Sequence, residues 1–158
     1  MVKILDCTLR DGGLVNDSNF SDEFARAVLR ACESAGIGIV EVGFRNSQKF
    51  FSPEKFGKWR FCEEKDLREV FSGFDCKVEL CTLVDAGKCD ISKIPPKSES
   101  IISRARCAFY AKDNRSFPSL PEFLSSGYCV ILRKMQLQGI YHVVSMYQLQ
   151  FNSNSSPI

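Results

Sequence analysis

The chain has 158 residues, room for one domain with a real core. Apolar residues make up 44% and charged residues 25%, near the globular average, which excludes wholesale disorder, collagen-like repeats and coiled coil. Against 21 Lys+Arg stand 19 Asp+Glu, and the net charge of +2 gives no electrostatic reason to expect nucleic acid or an anionic membrane as partner.

Residues 2–6 are apolar and β-prone and read as a first strand. They run into Cys7-Thr8-Leu9-Arg10-Asp11-Gly12-Gly13, whose glycine pair marks a loop. Ser21 is a good N-cap, with Asp22 and Glu23 in the first turn, where the helix dipole favours negative charge. Phe24, Ala27, Val28, Ala31 and Ala35 follow at helical spacing, and Gly36 sits where a C-terminal cap belongs. Residues 37–44 are a second buried strand. This strand–helix–strand unit implies parallel strands with a right-handed crossover.

Residues 46–58 are aromatic and basic, with Pro53 and Gly57, and read as a long loop holding about one helical turn. Residues 63–71 read as a helix and 77–84 as a third strand. Pro95-Pro96 interrupts, and 100–110 offers a fourth strand. The order is that of an α/β fold. Beyond Asp113, residues 128–132 and 140–146 are apolar enough for strands, nothing between them looks like a capped helix, and 152–158 is a polar tail expected to be disordered.

The eight cysteines are many for this length. No CxxC pair occurs, and Cys76-x4-Cys81-x7-Cys89 is not a usual zinc spacing, so they read as reduced thiols packing as small apolar side chains. Residues 1–20 lack a signal-peptide pattern and no 18-residue apolar run occurs, so a cytoplasmic location is expected.

In parallel α/β sheets and barrels, function gathers at the C-terminal ends of the strands. Asp6, Arg10 and Asp11 follow the first strand. Glu41 lies inside the otherwise apolar second strand, with Arg45 and Asn46 after it; Asp85 ends the third and Arg106 lies in the fourth. Burying Glu41 unpaired would cost several kcal/mol (about 3–5), so it needs a cation or hydrogen-bond donors. It reads either as a structural ion pair with a neighbouring strand's arginine or as a site carboxylate. Arg10-Asp11 reads either as a solvated loop pair or as complementary tools, a carboxylate for a hard cation and a guanidinium for an oxyanion.

The run Leu5-Asp6-Cys7-Thr8-Leu9-Arg10-Asp11-Gly12-Gly13 resembles the opening signature of the DRE-TIM metallolyases, which include 4-hydroxy-2-oxovalerate aldolase, 3-hydroxy-3-methylglutaryl-CoA lyase and the isopropylmalate and homocitrate synthases. Ile39-Val40-Glu41-Val42-Gly43-Phe44 resembles the second strand of that superfamily. Phe51-Ser52-Pro53-Glu54-Lys55-Phe56-Gly57-Lys58-Trp59 is similar to an aldolase-like subgroup. The likeness runs from about Val2 to Asp113. It implies a TIM barrel, a divalent metal (Mg or Mn, in some members Zn) and carbon–carbon bond cleavage or formation through a pyruvate-type enolate. It further implies that Asp11 ligates the metal, that Arg10 stabilises the enolate oxygen and that Glu41 is an active-site carboxylate. The family completes its metal site with a His-x-His pair. This chain has His142 alone, which is not assigned to the metal, and Gly13-Leu14 stands where the hydroxy-oxovalerate aldolases carry an acid/base histidine.

Residues 1–113 hold 18 Lys+Arg and 18 Asp+Glu, whereas 114–158 hold three and one, together with four of the five glutamines. A (β/α)8 barrel takes about 250 residues, about 200 at the low end. The expected architecture is therefore α/β, a partial TIM (β/α)8 barrel of about the first four or five strands with an irregular C-terminal tail. Residues 1–113 would be the N-terminal part of an aldolase-type barrel and 114–158 an atypical segment. The break suggests a shift of coding frame near Asp113. Lys134–His142, read from the third base of its first codon, permits Asn-Ala-Ile-Thr-Arg-Tyr-Leu-Ser, similar to a family segment.

The functional expectation is an aldolase-type lyase acting on a small 2-oxo acid. A Claisen-type acyl-CoA synthase relative is a further enzyme reading. The alternative from another class is an inactive remnant, or a fragment that binds a partner or itself through an open barrel edge. For the isolated polypeptide the remnant outcome is expected.

Overall fold

The computed structural model describes residues 3–110, 129–135 and 144–149. Strand β1 (Leu5–Asp6) is followed by a short helix α1 (Thr8–Gly12), helix α2 (Asp22–Ser34), strand β2 (Ile39–Phe44), helix α3 (Glu64–Phe71) and strands β3 (Glu79–Asp85), β4 (Arg104–Tyr110), β5 (Cys129–Met135) and β6 (Val144–Leu149). The six strands form one sheet in chain order. β1 to β5 are parallel, with Leu5 opposite Ile39, Glu41 opposite Cys81, Cys81 opposite Arg104 and Arg104 opposite Cys129. This is the α/β architecture expected, and it is consistent with part of a barrel.

Three local readings change. The Arg10-Asp11 segment is a helical turn rather than a Gly-rich loop. Asp6 starts it by accepting from the Thr8 N–H and hydroxyl, each at 2.9 Å, and so caps a turn that the glycines then end. The third strand begins at Glu79 and the fourth at Arg104, each later than expected. Beyond Asp113, β5 and β6 fall near the two strand candidates, and β6 runs antiparallel to β5, unlike a barrel strand. The boundary at 113/114, His142 and the 152–158 tail lie outside the described residues.

Helix α2 forms as its sequence predicts. The Ser21 hydroxyl accepts from the Phe24 N–H at 3.2 Å. At the other end Gly36 has φ +73°, and the N–H groups of Gly36 and Ile37 return to Glu33 and Cys32, a Schellman closure that needs a left-handed residue. Ala25, Leu29 and Cys32 face inward, as do Leu67, Val70 and Phe71 of α3. They pack on Val40, Val42, Leu80, Val84, Ala105 and Cys107, alternate residues of β2, β3 and β4. Burying a side chain such as Leu29 contributes about 2 kcal/mol. The opposite face of the same strands carries a second apolar cluster, Phe44, Leu83 and Ala108.

The loop after β2 includes a turn of 3-10 helix at Lys58–Arg60. It presses back on a β-bulge between Glu41 and Gly43. A Cβ at residue 43 would lie 2.1 Å from the Trp59 carbonyl oxygen, so the contact requires glycine. The Trp59 indole N–H donates to the Phe20 carbonyl at 3.0 Å, tying this loop to the one before α2. No helix among the described residues is long and apolar enough to cross a membrane.

Candidate active site

Glu41 lies on the sheet face opposite α2 and α3 and is fully buried, 0% exposed. The bulge that follows it lets β2 turn Glu41 and Phe44 to the same face, where regular alternation would oppose them. Three groups converge on its carboxylate. Arg106 on β4, two strands away, donates from Nε to Oε1 at 3.0 Å and from Nη2 to Oε2. Arg10 on α1 donates from Nε to Oε2 at 3.0 Å. The Cys7 thiol donates to Oε2 at 3.1 Å. Both arginines are themselves buried, and the second carboxylate that balances them is Asp11, paired with Arg10.

That environment sets the protonation of its neighbours. Burial, then the charge of Glu41, pushes the Cys7 thiol up to about 11. The same two causes raise the Cys81 thiol on β3 well above its ordinary value. Both thiols stay protonated at neutral pH and serve as donors and packing groups, not as nucleophiles. Burial works to lower Arg106, but the charge and hydrogen bonds of Glu41 outweigh it and raise the guanidinium further.

Arg10 is held at two edges, by Glu41 through Nε and by Asp11 through Nη1, and Nη2 makes no hydrogen bond to a described residue. Asp11 differs from Glu41 in exposure, with 58% of its side chain open to solvent. The pair thus joins a buried, oriented guanidinium to an exposed carboxylate just after β1, at the C-terminal end of the strands. A guanidinium so fixed can stabilise an oxyanion without reorganising.

The sequence-selected polar residues separate into two groups. Arg10, Asp11, Glu41 and Arg106 come together. The other four do not join them. Asp6 is occupied by Thr8. Arg45, itself buried, pairs with Glu64 at 3.1 Å, Asp85 pairs with Lys88 at 2.8 Å, and Asn46 is buried in the loop after β2. Sequence reasoning missed Cys7, Cys81 and Arg60. Cys7 had a signal, since it stands within the motif that contains Arg10; the other two had none at the level of spacing.

A metal was expected at Asp11. Among the described residues no three His, Cys, Asp or Glu side chains gather closely enough to hold a metal, so a closed zinc-type centre does not fit them. Asp11 suits a different kind of site, in which Mg or Mn takes one protein carboxylate and completes its shell with water and substrate oxygens.

No protein-family model matches the chain, and no curated protein matches it. A solved structure does: the "N-terminal domain of a putative aldolase from Bacteroides vulgatus", with a TM-score of 0.65 and 22% identity over 86% of this chain. The match covers 45% of that structure, so the chain spans under half its length. At this identity the likeness defines the fold: an aldolase-like α/β architecture with a parallel sheet.

Proposed function

We propose that this chain carries the enolate-stabilising half of a metal-dependent aldolase-type lyase acting on a 2-oxo acid. The observation that supports it most is the Arg10 guanidinium, buried, pinned by Glu41 and Asp11, and with one edge that no described residue occupies. In this reading Nη2 donates to the 2-oxo oxygen, where negative charge develops as the carbon–carbon bond breaks. Glu41 is a positioning residue. Its oxygens are already taken by Arg10, Arg106 and Cys7, so it orients Arg10 and does not itself meet substrate. Asp11 would hold a Mg or Mn ion, which when bound supplies Lewis-acid polarisation of the same oxygen. The opening-motif resemblance and the aldolase-like fold point the same way.

The test is Mn-dependent exchange of the pyruvate methyl protons into deuterated water, followed by NMR on the 158-residue chain. Exchange above the rate with Mn alone, reduced at least tenfold in Asp11→Asn, supports the proposal against the inactive remnant expected from the sequence. A folded sample that neither binds Mn nor promotes exchange overturns the proposal.

A further inference from the structure

Arg60, at the end of the 3-10 turn, is buried at 6% exposure, yet it forms no ion pair with a described residue. Its Nε is buried with no hydrogen-bond partner. What surrounds the guanidinium is aromatic: its central carbon lies 4.5 Å from the ring centroid of Phe44, 4.8 Å from Phe56 and 5.2 Å from Phe51. Ring faces attract the charge. They do not supply the acceptor oxygens that five N–H donors take. Burial accordingly pulls the Arg60 guanidinium below its ordinary value, with Asp17 pulling the other way from beyond ion-pair range.

The cage faces the site already described. Phe44, the ring nearest Arg60, also lies under Arg10, whose guanidinium carbon is 5.8 Å from its centroid. Phe44 sits on the same sheet face as Glu41, in the cluster with Leu83 and Ala108. One ring therefore carries two arginines, one of them held by carboxylates and the other held by none. The support is close-packed: the Gly57 N–H bonds to the Asp17 carbonyl at 3.0 Å, and a Cβ at 57 would lie 2.3 Å from the Ser18 carbonyl oxygen. Asn46, whose N–H bonds to the Arg60 carbonyl at 3.2 Å, likewise keeps a buried Oδ1 without a partner. The unmet donor is that of Arg60, the kind of group an anion takes.

We propose that Arg60 is a second anion anchor and that the substrate is a dicarboxylate, a 2-oxo acid whose far end carries a second carboxylate. This rests on the enolate reading of Arg10. Arg10 takes the 2-oxo end. Arg60 takes the distal carboxylate, which its planar fork matches in a two-bond contact, and the aromatic walls exclude water from that pair.

The test is calorimetric titration of the full 158-residue chain, with Mn present, against 2-oxoglutarate and 2-oxopentanoate, which have equal chain length and differ in the terminal carboxylate. At least tenfold tighter binding of 2-oxoglutarate is expected. Arg60→Met should bring the ratio to about one, and Arg60→Lys should keep an intermediate ratio. A wild-type ratio near one with measurable binding of both acids overturns the Arg60 proposal and leaves the enolate reading standing; the wild-type ratio decides this even where Arg60→Met fails to fold. A preference that survives in folded Arg60→Met makes Arg60 a packing residue and also overturns it. Binding of neither acid overturns both.

Discussion

Glu41 shows how one residue joins stability to chemistry. Its carboxylate sits between Arg10 and Arg106, and all three are buried. Removing the charge leaves Arg106 in a low-dielectric site without an anion among the described residues, and leaves Arg10 with the exposed Asp11 alone. Breaking a buried pair in this way costs about 3–5 kcal/mol, more than an exposed pair is worth. Glu41→Gln should therefore lower the free energy of unfolding by at least about 3 kcal/mol, read from urea denaturation. Asp11→Asn, at an exposed position, should change it by less than about 1 kcal/mol. A similar loss in both variants would show that Glu41 is not a buried keystone. The carboxylate in an apolar strand was legible in the sequence because alternation forces such a residue inward. That both Arg10 and Arg106 reach it was not, since α1 follows β1 on one side of β2 and β4 lies two strands away on the other, in a sheet order that only folding establishes.

At the scale of elements, Glu64 in the first turn of α3 ties three pieces together. It accepts from the Ile101 N–H at 2.8 Å, the Ser100 hydroxyl at 2.8 Å and Arg45 at 3.1 Å. It thus fastens α3 to the segment that enters β4 and to the residue that leaves β2. Burial works to raise its pKa, but the bonds from Ile101 and Ser100 and the Arg45 guanidinium outweigh that and lower it. A carboxylate whose folded pKa is depressed adds stability above its unfolded value, about 4.3. That stability is lost as the pH falls through the folded value. Glu64→Gln should cost about 2 kcal/mol at pH 7. The gap between variant and wild type should shrink as the pH drops below about 4.3, in paired denaturation curves at pH 7 and pH 3. A gap independent of pH would mean that shape, not charge, carries the link. The helix itself was readable from its periodicity. The role of Glu64 was not, because its partners lie far along the chain and in sequence it looks like one more acidic first-turn residue.

Over the whole molecule, the sheet order leaves β1 and β6 each paired on one side only among the described residues. β1 has two residues and offers little edge, whereas β6 has six. Unpaired backbone along a strand of that length is a template for another chain. We propose that the chain self-associates through this edge. Sedimentation over a hundredfold range of concentration should show a rising mean mass, and a constant monomer mass would dismiss the idea.

The sequence by itself determined the succession of strands and helices up to β4, the short α1 excepted, the N-cap and glycine closure of α2, and the motif that places Arg10 and Asp11 after a strand. These are local: periodicity, capping and turn chemistry act within about ten residues, and each leaves a pattern that can be read along the chain. Only the tertiary structure decided which polar residues meet. It bulged β2 so that Glu41 and Phe44 share a face, brought Arg106 across β3 to Glu41, and sent Arg45 and Asp85 to other partners. It also folded an aromatic loop over Arg60. Those outcomes depend on strand order, register and close packing, which are set by contacts between distant residues and leave no signature in the spacing of any one segment.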